Sequence, residues 1–181
     1  MLQVNFTPFP VLTTERLVLR RMGVEDAPEV FFQRSDPGIL QYLDREPVKT
    51  LDEVMTFIAL VDKGIDENDA INWAITLKGN PKLIGTICFW NINKNHYRGE
   101  LGYVLHPKHQ GQGIMAEAIR AVLQYGFDTM RLHSAEANVN PANSASIRVL
   151  ERQGFVREAY FRENYYYRGK FIDSAIYSLI G

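Results

Sequence analysis

The stretch His106-Pro107-Lys108-His109-Gln110-Gly111-Gln112-Gly113-Ile114-Met115-Ala116 lies between a strand pattern and a long helical pattern. Glycines at such a junction let the backbone approach a ligand, and the first helical turn presents free N–H groups. With the helix dipole they make an anion site suited to a phosphate or pyrophosphate, and Lys108 adds positive charge nearby. Two other readings stand beside this one. The glycines also suit a plain turn. Gly111-x-Gly113-x-x-Ala116 formally fits a dinucleotide fingerprint, with Glu136 about 25 residues on. That fingerprint belongs at a first βαβ turn, and here it follows three strand patterns joined by short turns. A Walker loop is excluded, because no Gly-Lys-Ser/Thr follows.

Working upstream, Gly99–Leu105, Leu83–Ile92 and Ile71–Leu77 read as strands, with turns at Asn93–His96 and Gly79-Asn80-Pro81. Short turns require an antiparallel meander. The middle strand is apolar on both faces, Leu83, Ile87 and Phe89 against Ile84, Cys88 and Trp90, so helices are expected on both sides of the sheet. Thr50 followed by Glu53 is a capping-box signature, and Val54, Phe57, Ile58 and Val61 recur at helical spacing. That helix is expected to stop near Lys63, at Gly64. Asp26–Gln33 reads as a shorter helix and Leu17–Arg20 as an edge strand. The Tyr42–Thr50 stretch between the helices is a substrate-side loop by position. Downstream, Ile114–Met130 is strongly amphipathic. It is followed by a strand at His133–Val139, a helix at Asn143–Arg152 ended by Gly154, and strands at Val156–Tyr166 and Phe171–Leu179. The order β-α-α-β-β-β-α-β-α-β-β describes one mixed α/β (α+β) sheet.

The chain has 181 residues, 46% apolar and 23% charged, which suits a single globular domain spanning 1–181. A formal charge of −1 argues against a nucleic-acid partner. One cysteine, Cys88, rules out an internal disulfide and a Cys-based zinc site, and the four histidines lack a ligand pattern, so no metal is expected. Met1–Thr14 has no basic n-region, and the uncharged run Leu83–Asn93 is far short of the ~20 residues of a membrane helix. No membrane association is expected, and the cytoplasm is the default location.

Gln110-x-x-Gly113 resembles the coenzyme A loop of the GNAT N-acetyltransferases. Thr14-Glu15-Arg16-Leu17-Val18-Leu19-Arg20, Gly99-Glu100-Leu101-Gly102-Tyr103, Asn140-Pro141-x-Asn143-x-x-Ser146 and Arg152-Gln153-Gly154-Phe155 resemble its RimJ/RimL branch, in order, from about Thr13 to Leu179. That branch includes enzymes that acetylate N-terminal α-amines of ribosomal proteins, and others acting on different amines. The resemblance implies acetyl-CoA as cosubstrate, its pyrophosphate on the backbone of Gln110, Gly111, Gln112, Gly113, Ile114, Met115 and Ala116. It also implies a splay between the Gly99–Leu105 and His133–Val139 strands. The pantetheine arm would lie in that opening against Tyr103, Val104, Leu105 and Asn143. Three positions depart from the pattern. Met115 replaces a small residue. Leu150 stands where many relatives carry a tyrosine able to protonate the leaving thiolate, while Ser146 matches the serine of RimL-like members. A glutamate proposed as base in some RimL-type enzymes falls on Tyr165.

Acetyl transfer needs a neutral amine beside the thioester, donors for the developing oxyanion and a proton for the thiolate. Glu100 is the base candidate, and its competing role is a surface ion pair with Arg98 or an N-terminal arginine. An α-amine of pKa ~8 costs only ~1 kcal/mol to deprotonate at pH 7, against ~4–5 kcal/mol for a lysine, so one water-linked carboxylate favours an α-amine. Ser146 is the candidate acid on the thiol side, and Asn143 suits an N-cap as well as a pantetheine contact. Cys88 reads as core, so direct attack in a ternary complex is expected rather than an acyl-cysteine. Tyr165-Tyr166-Tyr167 suits sheet packing and a subunit contact in a homodimer. The expectation is an acetyl-CoA-dependent N-acetyltransferase of a primary amine, on a protein N-terminus or a small molecule. An acyl-CoA-binding module with little catalysis is the alternative.

Overall fold

A computed structural model describes residues 1–181. Its sheet grows from the expected meander: β3 (Ile71–Leu77), β4 (Asn80–Asn93) and β5 (Arg98–Leu105) pair antiparallel in sequence. The register slips between Ile75, opposite Gly85, and Thr76, opposite Leu83. A bulge of one residue reverses the parity of the strand. Leu83 therefore does not share a face with Ile87 and Phe89, as simple alternation suggests. It joins Ala74, Val30, Val54 and Ile58 in a small core beneath α1 (Ala27–Ser35) and α3 (Leu51–Asp66), while Ile84 joins Ile87 and Phe89 in the large core. Helices do cover both faces, but Cys88 is only half-buried and Trp90 exposed, and both line a cavity on the α1 and α3 side. Cys88 is thus not a core residue.

Thr50 caps α3, its Oγ1 accepting the Glu53 N–H at 3.3 Å. The helix runs three residues past the expected stop, to Asp66. Gly64 instead serves the return of the chain, its carbonyl accepting the N–H groups of Asp69 and Ala70. A further one-turn helix, α2 (Pro37–Leu40), begins at Pro37, whose missing N–H is no loss in a first turn. On the other face, α4 (Ile114–Gln124) buries Ile114, Met115, Ala118, Ile119, Val122 and Leu123. From Tyr125 to Thr129 the coil widens, with Met130 N–H reaching the Tyr125 carbonyl at 3.0 Å. There Gly126 passes the Phe89 ring so closely that a Cβ would lie 2.8 Å from it.

The eight strands follow the order β1-β2-β3-β4-β5-β6-β8-β7. A two-residue β1 (Leu12–Thr13) lies outside β2 (Leu17–Arg20), so β2 is not the edge. β6 (Ser134–Val139) pairs parallel with β5 and antiparallel with β8 (Lys170–Ile180), and β7 (Val156–Tyr167) closes the far edge. α5 (Ser144–Arg152) connects β6 to β7. This is one mixed, mostly antiparallel sheet with helices on both faces and a splayed strand pair. No helix is long and apolar enough to cross a membrane.

The Gly126 contact sets a packing test. Gly126→Ala should overpack the Phe89 ring and lower unfolding free energy by about 1–3 kcal/mol in a urea titration. Adding Phe89→Leu should recover part of that loss, because it removes the ring the new methyl strikes.

Candidate active site

The parallel ladder between β5 and β6 joins only Arg98–Glu100 to Ser134–Glu136. Beyond Glu100 the strands part, as the splay expected from the resemblance requires. β5 stays on β4 up to Leu105, and β6 stays on β8 up to Val139. A cavity of about 510 Å³ passes through the opening. Tyr103, Val104, Asn138, Asn143 and Ser146 line it at the splay, and it continues beneath α1 and α3 to Arg34 and Arg45. Leu105 lies just outside the lining, buried, with its carbonyl accepting the Gln110 side-chain amide at 3.2 Å.

The pairing register places the reacting candidates on opposite faces. Glu100 stands opposite Trp90, and Gly102 opposite Cys88, on the face toward α1 and α3. Tyr103, the residue after Gly102, alternates to the other face, toward α5. There its hydroxyl lies 2.7 Å from the Ser146 hydroxyl, across the splay. From the resemblance, Ser146 is the one hydroxyl expected here, because Leu150 offers no phenol. Leu150 is fully buried in the core, yet β5 supplies a phenol from another element. Burial pushes the Tyr103 hydroxyl up to about 12, against the opposing pull of Ser146, so it is protonated at neutral pH. Asn143 caps α5, its Oδ1 accepting the Ser146 N–H at 3.1 Å.

Glu100 makes no ion pair. Arg98 turns instead to Glu136 at 3.2 Å, and the N-terminal arginines Arg16, Arg20 and Arg21 hold Glu117, Asp26, and Asp62 with Asp66. The one partner of Glu100 is the Asn91 amide at 3.4 Å. Burial raises the Glu100 carboxyl above its ordinary value, opposed by the Asn91 hydrogen bond and assisted by the Glu136 charge. Cys88 is pushed up to about 12 by burial. A thiol held protonated is no nucleophile at neutral pH.

The glycine loop projects from the end of β5. Gly111 and Gly113 take φ of +72° and +74°, where a side chain is strained, and a Cβ at Gly111 would meet open space. Gln110, Gly111, Gln112 and Gly113 are exposed, while Ile114 and Met115 point into the core and Ala116 is half-buried. The long Met115 side chain therefore leaves the loop backbone free. A brace from the N-terminal segment holds this loop. Arg16 donates to the Gln112 carbonyl at 3.0 Å and to Glu117 Oε2 at 2.7 Å, while Arg16 N–H and Thr14 Oγ1 both reach Glu117 Oε1. The sequence showed Thr14-Glu15-Arg16 only as a family-like string, and nothing local tied it to a residue about a hundred positions away.

The Tyr42–Thr50 stretch does reach the cavity, through Tyr42, Leu43 and Arg45. The β7–β8 hairpin ties it down: Tyr167 donates to the Arg45 carbonyl at 2.6 Å, and Arg168 pairs with Glu46 at 2.7 Å. Tyr167 is thus a loop anchor, whereas Tyr165 and Tyr166 stay exposed on β7.

Burial works to raise the Glu117 carboxyl, but the Thr14 and Arg16 hydrogen bonds outweigh it and hold the group low. A carboxyl lower in the folded than the unfolded state stabilises above the unfolded value, and that contribution fades as pH falls through the folded one. Glu117→Gln should therefore cost about 1 kcal/mol at pH 7. The gap to the parent should shrink in melts below about pH 4.

Residues 16–156 match the acetyltransferase (GNAT) domain family. The chain is 33% identical to the uncharacterized N-acetyltransferase YoaA of Bacillus subtilis over 172 residues, 95% of this chain and 97% of that one. It is 26% identical to the [ribosomal protein uS5]-alanine N-acetyltransferase of Escherichia coli, covering 93% and 89%. The crystal structure of spermidine N-acetyltransferase from Vibrio cholerae in complex with CoA and spermine superposes with a TM-score of 0.82, at 25% identity over 92% of this chain and 96% of that one. The chain belongs to the GNAT family, as an acetyl-CoA-dependent N-acetyltransferase.

Proposed function

We propose that the chain, as one domain of the RimJ/RimL type, moves the acetyl group by direct attack of an α-amine on acetyl-CoA in a ternary complex. The amine sits on a polypeptide N-terminus or a small molecule. One observation carries this reading: the ladder between β5 and β6 ends at Glu100, beside an unpaired carboxylate and below a hydroxyl pair. Coenzyme A binds with its pyrophosphate on the Gln110–Ala116 backbone, where the exposed left-handed glycines leave room and the α4 dipole favours negative charge. The pantetheine arm adds to β5 as an extended chain along Tyr103, Val104 and Leu105, opposite Asn143.

The amine enters from the face of α1 and α3, and Glu100 takes its proton through water. A raised carboxyl is a better match for an amine than an ordinary one, since its driving force for accepting a proton is larger. As the tetrahedral intermediate collapses, the C–S bond breaks and the thiolate takes a proton from the Tyr103–Ser146 pair. Cys88, whose thiol burial raises to about 12, is a poor nucleophile, which favours direct transfer.

Glu100→Gln should lower kcat/KM by about a hundredfold near neutral pH. Because burial raises this carboxyl, the limb it contributes to the parent pH–rate profile should lie above the ordinary carboxylate range, and the variant should lack it. An unaltered profile removes Glu100 from the reaction.

Tyr103→Phe and Ser146→Ala should each lower kcat about ten- to hundredfold, or 1.4–2.7 kcal/mol, with coenzyme A affinity nearly kept in calorimetry. The double variant should lose little more than the worse single one, because the two hydroxyls share one hydrogen bond. Full kcat in both single variants leaves water as the acid.

A further inference from the structure

The far end of the cavity holds charge that nothing in the chain neutralises. Arg34, in the last turn of α1, and Arg45, on the loop beneath the β7–β8 hairpin, both line it. Neither guanidinium lies within ion-pairing distance of a carboxylate. Of the acids on these segments, Glu46 holds Arg168, Asp62 and Asp66 hold Arg21, and Glu29 holds Lys82, while Asp44, next to Arg45 in the chain, is exposed and forms no ion pair with it. Glu100 is the one acidic residue in the lining. Arg34 rests its guanidinium face on the Phe57 ring at 3.8 Å, which leaves its edge free to donate.

Three buried side-chain polar atoms lack a hydrogen-bond partner: Arg34 Nε, Gln33 Nε2 and Asn72 Oδ1. All three belong to residues lining this cavity, and Gln33 is only 5% exposed. A buried unpaired donor costs about 1–3 kcal/mol, more when charged. Two of the three, Arg34 Nε and Gln33 Nε2, are donors beside the cavity without an acceptor of their own, which suits a ligand that brings acceptor oxygens. Burial and the nearby Arg45 push Arg34 down to about 10, and burial lowers Arg45 as well. Two cations near enough to repel, with donors to spare, complement an oxyanion, since the guanidinium fork matches carboxylate and phosphate geometry.

We infer that the acceptor carries an oxyanion, a carboxylate or phosphate a short distance from its amine, which Arg34 and Arg45 hold while the amine faces Glu100. This rests on the reading of Glu100 and the splay as the reaction centre. It separates the chain from enzymes whose acceptor is a polycation, because a polyamine would bring further positive charge to two unpaired guanidiniums.

The test measures acetylation of phenylalanine against phenylalaninamide and O-phosphoethanolamine against ethanolamine, with spermidine alongside. The carboxamide has the less basic amine, so chemistry alone favours it over the free acid. We expect at least one oxyanion-bearing amine to exceed its neutral counterpart tenfold or more in kcat/KM. Which pair shows the gap tells carboxylate from phosphate. Arg45→Gln and Arg34→Met should each bring that ratio close to one, while calorimetric binding of coenzyme A stays at the parent value and shows the variants folded. Equal rates within both pairs, an undiminished ratio in both variants, or a preference for spermidine overturns the inference. A second arm needs no turnover. The parent should bind N-acetylphenylalanine more tightly than its amide, or O-phosphoethanolamine more tightly than ethanolamine, with the preference lost in Arg45→Gln. If no amine is acetylated, the proposed reaction fails while this binding arm still decides the oxyanion site. Absence of any preference there overturns it.

Discussion

Two strands that pair for three residues and then part make a window through the sheet. β5 is committed to β4 as far as Leu105 and β6 to β8 as far as Val139, so each follows a different neighbour once the Glu100–Glu136 pairing ends. Alternation along β5 then assigns Glu100 to one face and Tyr103 to the other. A group entering from the α1 and α3 side and a thioester lying toward α5 can meet only at the window. An intact ladder would separate them by a layer of hydrogen-bonded backbone. Open strand edges inside a fold leave polar groups unpaired, which is costly unless something fills the gap. An extended amide-bearing chain such as pantetheine fills it in the way an added strand does.

The cavity that crosses this window is divided in its electrostatics. Near the window stands a carboxylate whose burial disfavours its charge, and at the far end are two guanidiniums whose burial disfavours theirs. Each would be stabilised by moving toward the other, yet no ion pair joins them. Held apart, the two ends suit a ligand that is itself divided, with an amine at one end and negative charge at the other. The cavity wall of apolar residues such as Val30, Phe57 and Leu60 strengthens both interactions by keeping the local dielectric low.

The meander, the amphipathic α4 and the Asn143 cap were legible because each is written in local spacing. The Leu83 face was not, because a bulge at Ile84–Gly85 changes parity without changing composition. Nor was the full length of α3, since Gly64 looks like a stop and serves as the point where the returning chain docks. Glu100 and Ser146 could be proposed from their place on the strand and the helix. The Tyr103 hydroxyl could not, because Tyr103 was read for its backbone, and only the splay carries its side chain to Ser146. Arg34 and Arg45 carried no motif at all. What distinguishes them is the absence of partners, which no sequence pattern records.

The two sides of the proposed site are secured by different means. Outside the cavity, the glycine loop proposed to hold the coenzyme is fixed by the first turn of α4, by its own left-handed residues and by the Arg16–Glu117 brace. Those contacts come from regular elements, and a loop ordered before binding loses little entropy when a ligand arrives. On the acceptor side, the Tyr42–Thr50 segment has no regular structure and hangs from the hairpin tip by the Tyr167 hydrogen bond and the Arg168–Glu46 pair. Loops tolerate substitution far better than the elements that carry them. Arg45 and Tyr42 line the cavity from this segment, on an element separate from the strands that carry Glu100 and Tyr103. On the proposed reading, acceptor charge is set by Arg45 on this loop together with Arg34 at the end of α1, both apart from Glu100 and the hydroxyl pair.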